Sequence, residues 1–533
     1  MSRVVRFGLF AVFTSVLTYL AFQTGTNIGI DSFYQWHHWS AYIGQAELLF
    51  HGALPFNDIP LQYGLGPISL IALGCYADCW IAMYWISSIG VIIFILLITW
   101  LALKLSNPKQ LSTIGIVLLL VILSTMIWPP YQNTILSIST FPSVTALRFL
   151  PGLLMLCLLI NDPLKNKGHA HTDFLILSLW IMAFWVLCFA WSPEAGIQAS
   201  VLWVPYYIWN RTQDRHGNQL LKFIFLASAE LLLAFLAGVG LLSLCYFNIY
   251  AEWPQFSRYL TYLHHLPNGG EKVNSNGMIW YVILCCFIWL TWASNAKNKE
   301  VQTSIWLVAL LCFANFTYFL SHSHDSVIAD LSPYLLLLLL AIHRNSAKGI
   351  FRSFVSILLA SFIGWSTLMV GWGTLLNTAV KDIHSSPHEF FIESPAKLIG
   401  LFDSETQDPF HFLSRSEHET LKTHDLNQAL SYLYKNFHES VEVLNEQFLI
   451  NSNEIYPPWN GFHGPVTINP IPSIYRTPYL ADTAKRLHRS GWLLYDKDFK
   501  TAAQYLSNYD SVYDRSQEID FSTYYAIRYV PKN

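Results

Sequence analysis

The sequence is poor in charged residues. Only 12% of its 533 residues are Asp, Glu, Lys or Arg, whereas 53% are hydrophobic. A water-soluble globule of this length needs more polar surface, so we expect much of the chain to face lipid. The net charge of -3 gives no basic excess, and we therefore expect no nucleic-acid partner.

Cysteines are also few, and no disulfide framework is visible among the eight that the chain contains. Most of them lie in apolar runs, where Cys usually behaves as a small buried hydrophobe. Cys75 and Cys79 are four residues apart and can share one helix face. That spacing favours either a structural pair or two free thiols over a redox motif.

Apolar stretches of span length recur eleven times along the chain, and we read them as transmembrane helices. The first follows Arg3 and Arg6 and lacks a small-residue cleavage site, so it is predicted to be a retained span. The stretches lie at about residues 5-23, 80-103, 111-128, 145-161, 173-192, 195-209, 221-248, 277-293, 302-320, 328-343 and 352-377.

Basic residues set the predicted orientation, because Lys and Arg favour cytoplasmic loops. With the N-terminus inside, the opposite loops hold only Arg258 and Lys272. The predicted cytoplasmic side holds Arg3, Arg6, Lys104, Lys109, Lys165, Lys167, Arg211, Arg215, Lys222, Lys297, Lys299, Arg344, Lys348 and Arg352. An odd number of spans then puts the C-terminus outside.

Two domains are predicted: a multi-span domain at 1-377 with a large first outer loop at 24-79, and a soluble domain at 378-533 on the non-cytoplasmic side. In the second, Asp425 to Asn436 has a helical period, and so does Ala481 to Arg489. Strands are predicted at Val441 to Leu444, at Gly491 to Tyr495 and at Phe521 to Val530. This pattern indicates a small α/β domain.

The first outer loop contains no Lys or Arg but is rich in polar and aromatic motifs. It carries Asp31, and positions 32-50 have the period of an amphipathic helix lying on the outer leaflet. A Gly-x-x-Pro-aromatic-x-Asp element follows, with Gly52, Pro55, Phe56 and Asp58. A Tyr-Gly-x-x-Pro element comes next, with Tyr63, Gly64 and Pro67.

These motifs and the layout resemble the GT-C class of integral-membrane glycosyltransferases, which includes protein mannosyltransferases and lipid A aminoarabinose transferases. The resemblance implies a GT-C-like polytopic α-helical fold and a sugar donor carried on a polyprenyl phosphate. It makes Asp31 the catalytic base toward an acceptor hydroxyl on a lipid, glycan or protein. Tyr63 and Asp58 become candidates for binding substrate, although Asp58 is equally ordinary as a loop cap.

The departing lipid phosphate needs a fixed cation or a metal. Arg148, early in the fourth span, is the main candidate cation, with Asp58 as a possible partner; the alternative is an Arg that snorkels to outer headgroups. Glu194 opens the sixth span and either binds sugar or metal, or is an acid favoured by the helix dipole.

His322, His324 and Asp325 form a short outer loop. They either receive the phosphate or bind an ion, or they are simply a polar loop. A divalent Mg or Mn ion is compatible with Asp31, Glu194 and His324 but is not required.

The resemblance thus implies a glycosyltransferase, and we expect it in a bacterial inner membrane, with the endoplasmic reticulum as the alternative location. Its expected partners are membrane lipids, the polyprenyl-phosphate donor and the acceptor. Two other classes stay open: a secondary transporter or lipid flippase, and an inactive scaffold. Transporters generally show matching halves, and the sequence has none that we detect.

Overall fold

The architecture is taken from a computed structural model of the chain. The structure describes residues 42-46, 49-50, 52, 54-57, 59, 61, 63-76, 79-108, 110-126, 146-161, 171-212, 216-256, 279-295, 299-321, 332-346, 349-366, 417-439, 441-444, 461-463, 491-498 and 502-532.

The described part of the chain is mostly helical and carries a small sheet near its C-terminus. A short helix, α1, spans Leu65–Gly74. Ten longer helices follow, and each coincides with one of the predicted apolar stretches from the second to the eleventh. They are α2 (Cys79–Ser106), α3 (Leu111–Met126), α4 (Ala146–Ile160), α5 (His171–Trp191), α6 (Pro193–Thr212), α7 (Asn218–Tyr250), α8 (Ile279–Asn295), α9 (Lys299–Ser321), α10 (Ser332–Asn345) and α11 (Ile350–Ser366).

Two described helices are long and apolar enough to cross a membrane, at Trp85–Ser106 and along α7. The other apolar helices are shorter, so the count of eleven spans stays a prediction. Helix α7 has 33 residues and is little buried by the rest of the chain. Such a long, exposed, apolar surface fits a lipid environment.

Contacts divide the chain into two compact units. The first contains residues 88-244 and 271-398 together with residues 1-26, and the second contains residues 27-87, 245-270 and 399-533. The domain boundary that we predict near residue 377 lies outside the described residues.

Two helices form the centre of the first unit. Helix α10 is buried from Ser332 to Ile342 and packs against α3, α8, α9 and α11. Helix α6 packs against α4, α5 and α9. One continuous apolar cluster joins these helices, which explains why the leucine run of α10 lacks a polar face.

Contacts at the helix ends join positions that the charge pattern assigns to the same side. Lys104, near the end of α2, donates to Asn161 beyond α4, and Arg344 donates to the carbonyl of Lys104 at 3.1 Å. In the same unit, Ser332 at the start of α10 donates to the carbonyl of Ser124 on α3, at 3.3 Å. The first group lies at predicted cytoplasmic ends and the second at predicted outer ends.

Arg211 and Glu230 form a separate ion pair in the first unit, at 2.5 Å. Tyr207 also donates to Glu230, at 2.6 Å. Both charged residues lie toward the predicted cytoplasmic side. We assign this group a role in packing α6 against α7.

The C-terminal part of the second unit contains a five-stranded sheet with the order β2-β1-β3-β5-β4. Strand β1 is parallel to both β2 and β3, whereas β5 is antiparallel to β3 and β4. The elements are α12 (Glu417–Phe437), β1 (Val441–Leu444), β2 (Gly461–His463), β3 (Trp492–Asp496), α13 (Ala502–Val512), β4 (Tyr513–Asp520) and β5 (Tyr524–Pro531).

The mixed sheet with its helices confirms the expected α/β character, and the start of the last strand needs correction. Residues 521-523 form a turn between β4 and β5, closed by the Phe521 amide donating to the Tyr524 carbonyl at 2.9 Å. The polar, mostly exposed β4 has no alternation that sequence reasoning could detect. The predicted helix from Ala481 to Arg489 lies outside the described residues.

Candidate functional site

Arg148 is a buried cation near the start of α4. It follows Leu147 in the first turn, and only 8% of its surface is exposed. Its guanidinium carbon lies 6.0 Å from the centre of the Phe149 ring. A charge in such an apolar helix needs a partner or a task.

Glu194 supplies that partner from the first turn of α6. The local sequence fixes the start of this helix, because Ser192 caps it by accepting from the Ala195 amide at 3.0 Å. Pro193 occupies the first helical position, where its missing N–H costs nothing. The acid at the second position also suits the positive end of the helix dipole.

Arg148 and Glu194 form a direct ion pair between α4 and α6. Their side chains are 10% and 25% exposed, so the pair is largely desolvated on the protein side. The other Glu194 oxygen, Oε2, is buried and accepts no hydrogen bond from the described part of the chain. Glu194 is thus an acid in the first turn of its helix, and it also pairs with the candidate cation, a partnership that the sequence did not suggest; its binding of sugar stays a prediction.

Two further contacts hold the pair in place. The Trp191 indole donates to the Leu147 carbonyl at 2.6 Å, which fastens the end of α5 to the start of α4. One turn along α6 from Glu194, the Gln198 amide donates to Asn315 on α9 at 2.8 Å. Both members of the second contact are buried, so this hydrogen bond is shielded from competing water.

Gly152 permits the close approach of α4 and α6. A Cβ at this position would overlap Gln198 Oε1 and would lie 3.0 Å from Gln198 Cβ. A small residue at a helix crossing is typical of helix packing in membranes. The spacing of the two helices that carry Arg148 and Glu194 therefore depends on a glycine.

The Tyr-Gly-x-x-Pro element of the first outer loop is well packed in the second unit. Tyr63 is buried and stacks on Tyr42, with ring centres 4.4 Å apart. Gly64 has a φ of 90° and precedes α1, so this turn requires glycine. Buried Leu61 also has a positive φ, of 51°, a conformation that costs a non-glycine residue of the order of 1 kcal/mol.

Asn57, inside the Gly-x-x-Pro-aromatic-x-Asp element, joins the loop to the segment that follows α7. Its amide nitrogen donates to Glu252 Oε2 at 3.0 Å and to the Trp253 carbonyl at 3.2 Å. Its oxygen accepts from the Gln255 amide at 3.0 Å. Next to it, the hydroxyl of Tyr246 donates to the Pro55 carbonyl.

Sequence reasoning missed these residues. Asn57 stood at an unspecified position of the motif, and Glu252 was not considered. A signal for Glu252 was present, since an acid directly after a predicted span, on the same predicted side, had already singled out Asp31. The partnership of Gln198 with Asn315 left no such signal.

Five of the predicted site residues lie outside the described residues: Asp31, Asp58, His322, His324 and Asp325. Of the other three, Arg148 and Glu194 meet in the first unit, and Tyr63 lies in the second. The predicted helix over 32-50 is helical at residues 42-46. Cys75 and Cys79, at the turn between α1 and α2, are joined as a disulfide.

Glu194 is a poor metal ligand in this setting. A divalent cation there would face the Arg148 guanidinium, which already occupies one carboxylate oxygen. Within the described ranges, no cluster of three or more His, Cys, Asp or Glu residues is arranged to hold a metal ion.

No model of a known protein family matches the chain, and no curated protein shows significant similarity to it.

Proposed function

We propose that the chain is an integral-membrane glycosyltransferase that moves a sugar from a polyprenyl-phosphate donor to an acceptor hydroxyl. Reaction takes place at the non-cytoplasmic face, with Asp31 as the catalytic base. The buried Arg148–Glu194 pair is the observation that carries this proposal. In this proposal the pair supplies the fixed cation that receives the lipid-linked phosphate.

The proposed orientation is supported by the way polar helix ends meet. Lys104 and Arg344 lie together in the first unit, as the positive-inside rule requires. Arg148 lies at the opposite end of its own helix from Asn161, the partner of Lys104. A cation at the outer end is therefore an exception to the charge pattern, and exceptions of this kind are usually functional.

The chemistry assigns a role to each residue. Asp31 takes the proton of the acceptor hydroxyl as its oxygen attacks the anomeric carbon. The polyprenyl phosphate leaves with the bonding electrons, and Arg148 stabilises the charge that develops on it. Glu194 positions the guanidinium, and its buried Oε2 is available to accept from a substrate hydroxyl. Tyr63, Asp58, His322, His324 and Asp325 are proposed to line the path of the substrates.

The disulfide between Cys75 and Cys79 gives separate support for an outer location of the first loop. Disulfides persist in oxidising compartments such as the periplasm and are rare in the cytosol. The second unit also groups this loop with residues 245-270 and with the C-terminal part. The charge pattern assigns all three segments to the same side.

The test is transfer by the purified full chain in lipid nanodiscs, supplied with undecaprenyl-phosphate sugars and a membrane-lipid extract as acceptor. Release of undecaprenyl phosphate is followed by mass spectrometry. We expect Asp31→Asn to lower the rate by about 100-fold or more, the range for loss of a general base. Glu230→Gln removes a carboxylate from the predicted cytoplasmic side and should leave the rate unchanged.

Equal rates for wild type and Asp31→Asn would contradict the proposal. So would uptake of a labelled sugar or lipid into proteoliposomes without release of polyprenyl phosphate, which is the result that a transporter or flippase gives.

A further inference from the structure

The segment that follows α7 presents an exposed aromatic ring, that of Trp253, on a backbone that is held in place by hydrogen bonds. Trp253 is 58% exposed and stacks on Phe247, with ring centres 4.8 Å apart and planes 24° from parallel. Side chains exposed to this extent are usually free to change rotamer. Here the backbone on both sides of the ring is held by hydrogen bonds.

One buried side-chain amide, that of Asn57, makes most of these hydrogen bonds. Asn57 is only 3% exposed, and it binds Glu252, Trp253 and Gln255 at once, using both amide hydrogens and its oxygen. Glu252, Trp253 and Gln255 are therefore fixed to the first outer loop. The carboxylate of Glu252 is oriented by the same contacts that fix the Trp253 backbone.

Two residues beside these hydrogen bonds have strained backbone conformations. Phe56 has a φ of 65° and is buried against Tyr246 and Phe256. Ala251, which directly follows α7, has a φ of 57°. Non-glycine residues in this region cost of the order of 1 kcal/mol or more and persist where the surroundings determine the conformation. Strained residues of this kind cluster at active sites and ligand-binding positions.

We infer that Trp253 and Glu252 form a sugar-binding subsite, occupied by a pyranose ring of one of the substrates. The C–H bonds of one pyranose face pack on the negative face of an aromatic ring. A neighbouring carboxylate accepts hydrogen bonds from the ring hydroxyls. Asn57 is the positioning residue that holds both groups ready, so that little ordering is needed on binding. The inference rests on the proposed function for the identity of the ligand as a sugar.

Saturation-transfer NMR on the full chain in nanodiscs tests the subsite without requiring catalysis. The probes are free mannose, glucose, galactose and N-acetylglucosamine at millimolar concentration. We expect transfer to the ring protons of at least one sugar, and a severalfold loss in Trp253→Ala. The matched control is Trp280→Ala, which removes an equally exposed ring, 63% exposed, from the start of α8.

The positioning role of Asn57 is tested by exchanging the hydrogen-bond donor and acceptor between Asn57 and Glu252. Asn57→Asp puts two carboxylates against each other and should abolish saturation transfer. Glu252→Gln keeps an oxygen that accepts from the Asn57 amide. This variant should therefore bind the sugar with only a modest loss of saturation transfer. Combining Asn57→Asp with Glu252→Gln restores one hydrogen bond and should recover sugar binding relative to Asn57→Asp alone. If Asn57 acted in folding alone, Asn57→Asp would lower the unfolding temperature but leave the saturation transfer per folded molecule unchanged.

Two results would overturn the subsite: no transfer to any sugar with the wild type, or equal transfer in Trp253→Ala and Trp280→Ala. The second result would make Trp253 an anchor in the membrane interface. Sugar binding without transferase activity would refute the proposed function and leave the subsite intact. The subsite alone fails if Trp253→Ala changes neither the KM of an active enzyme nor the NMR signal.

Discussion

Two Arg–carboxylate pairs with similar chemistry occupy very different surroundings. Arg148 and Glu194 are 10% and 25% exposed between apolar helices. Arg515 on β4 and Asp510 on α13 are 40% and 39% exposed and bind through two hydrogen bonds, at 2.8 and 2.7 Å. The exposed pair has the better geometry, and yet an exposed pair contributes little because water competes for both charges.

Burial alone does not make the Arg148–Glu194 pair a stabilising feature. Replacing a buried ion pair by apolar residues is often neutral or stabilising, so we propose a functional reason for this pair. The reason we assign is the charge of the leaving phosphate. Three sets of variants test this difference, from the largest expected effect to the smallest.

The largest effect is expected from breaking the buried pair on one side only. Arg148→Gln leaves Glu194 as an unpaired, partly buried carboxylate, and we expect a loss toward the lower end of about 3-5 kcal/mol of stability. Arg148→Gln combined with Glu194→Gln removes both charges and should recover most of that loss. Thermal unfolding in detergent measures both.

Transferase activity should not recover with the double variant, because the cation is still missing. We expect activity about 100-fold or more below wild type, as for loss of other charge-stabilising groups. A double variant that is both stable and fully active would show that the Arg148–Glu194 pair has no role in catalysis.

A smaller effect is expected from spreading the helices that carry the pair. Gly152→Ala adds a methyl group against Gln198, and such overpacking typically costs about 1-3 kcal/mol. Gly240→Ala on α7 meets nothing within 4 Å, and it should be neutral or slightly stabilising. Equal unfolding temperatures for the two variants would contradict the close approach of α4 and α6.

The smallest effect belongs to the exposed pair. Hydrogen bonds from Arg515 lower the pKa of Asp510 below its ordinary value of 3.8. The ionised form is therefore favoured by folding, so its stabilisation is present above about pH 4 and is lost as the pH falls through the lowered pKa. The loss should stay below about 1 kcal/mol.

Hydrogen exchange of peptides from residues 502-531 in the full chain, compared at pH 6 and pH 3 after correction for intrinsic rates, measures this loss. Asp510→Asn should flatten the pH response. A response several times larger in the wild type would show that the surface pair is worth more than its exposure suggests.

The helical plan was predictable because long apolar stretches are a strong signal in the sequence. Ten predicted stretches are helices, and Glu194 was identified through its place after Pro193. Strand β4 was missed because a polar edge strand has no period of two that stands out. Helix α1 was missed because the turn at Cys75 and Tyr76 divides one apolar run into two helices.

The partnership of residues far apart in the chain was the part that could not be predicted. Arg148 had Asp58 as its suggested partner, whereas the described ion pair is with Glu194, 46 positions away. Asn57 and Glu252 are separated by 195 positions. Such pairs depend on how helices pack, and no local pattern records it.

The central claim is that the first outer loop faces the non-cytoplasmic side, where Asp31 and the lipid-linked donor meet. Labelling of intact spheroplasts with a membrane-impermeant maleimide, after an impermeant phosphine reductant, tests it at Cys75 and Cys79. The Cys75→Ser and Cys79→Ser double variant is the control for the remaining cysteines. The account predicts reductant-dependent labelling in intact spheroplasts that the double variant loses; labelling that appears only after the cells are lysed would contradict it.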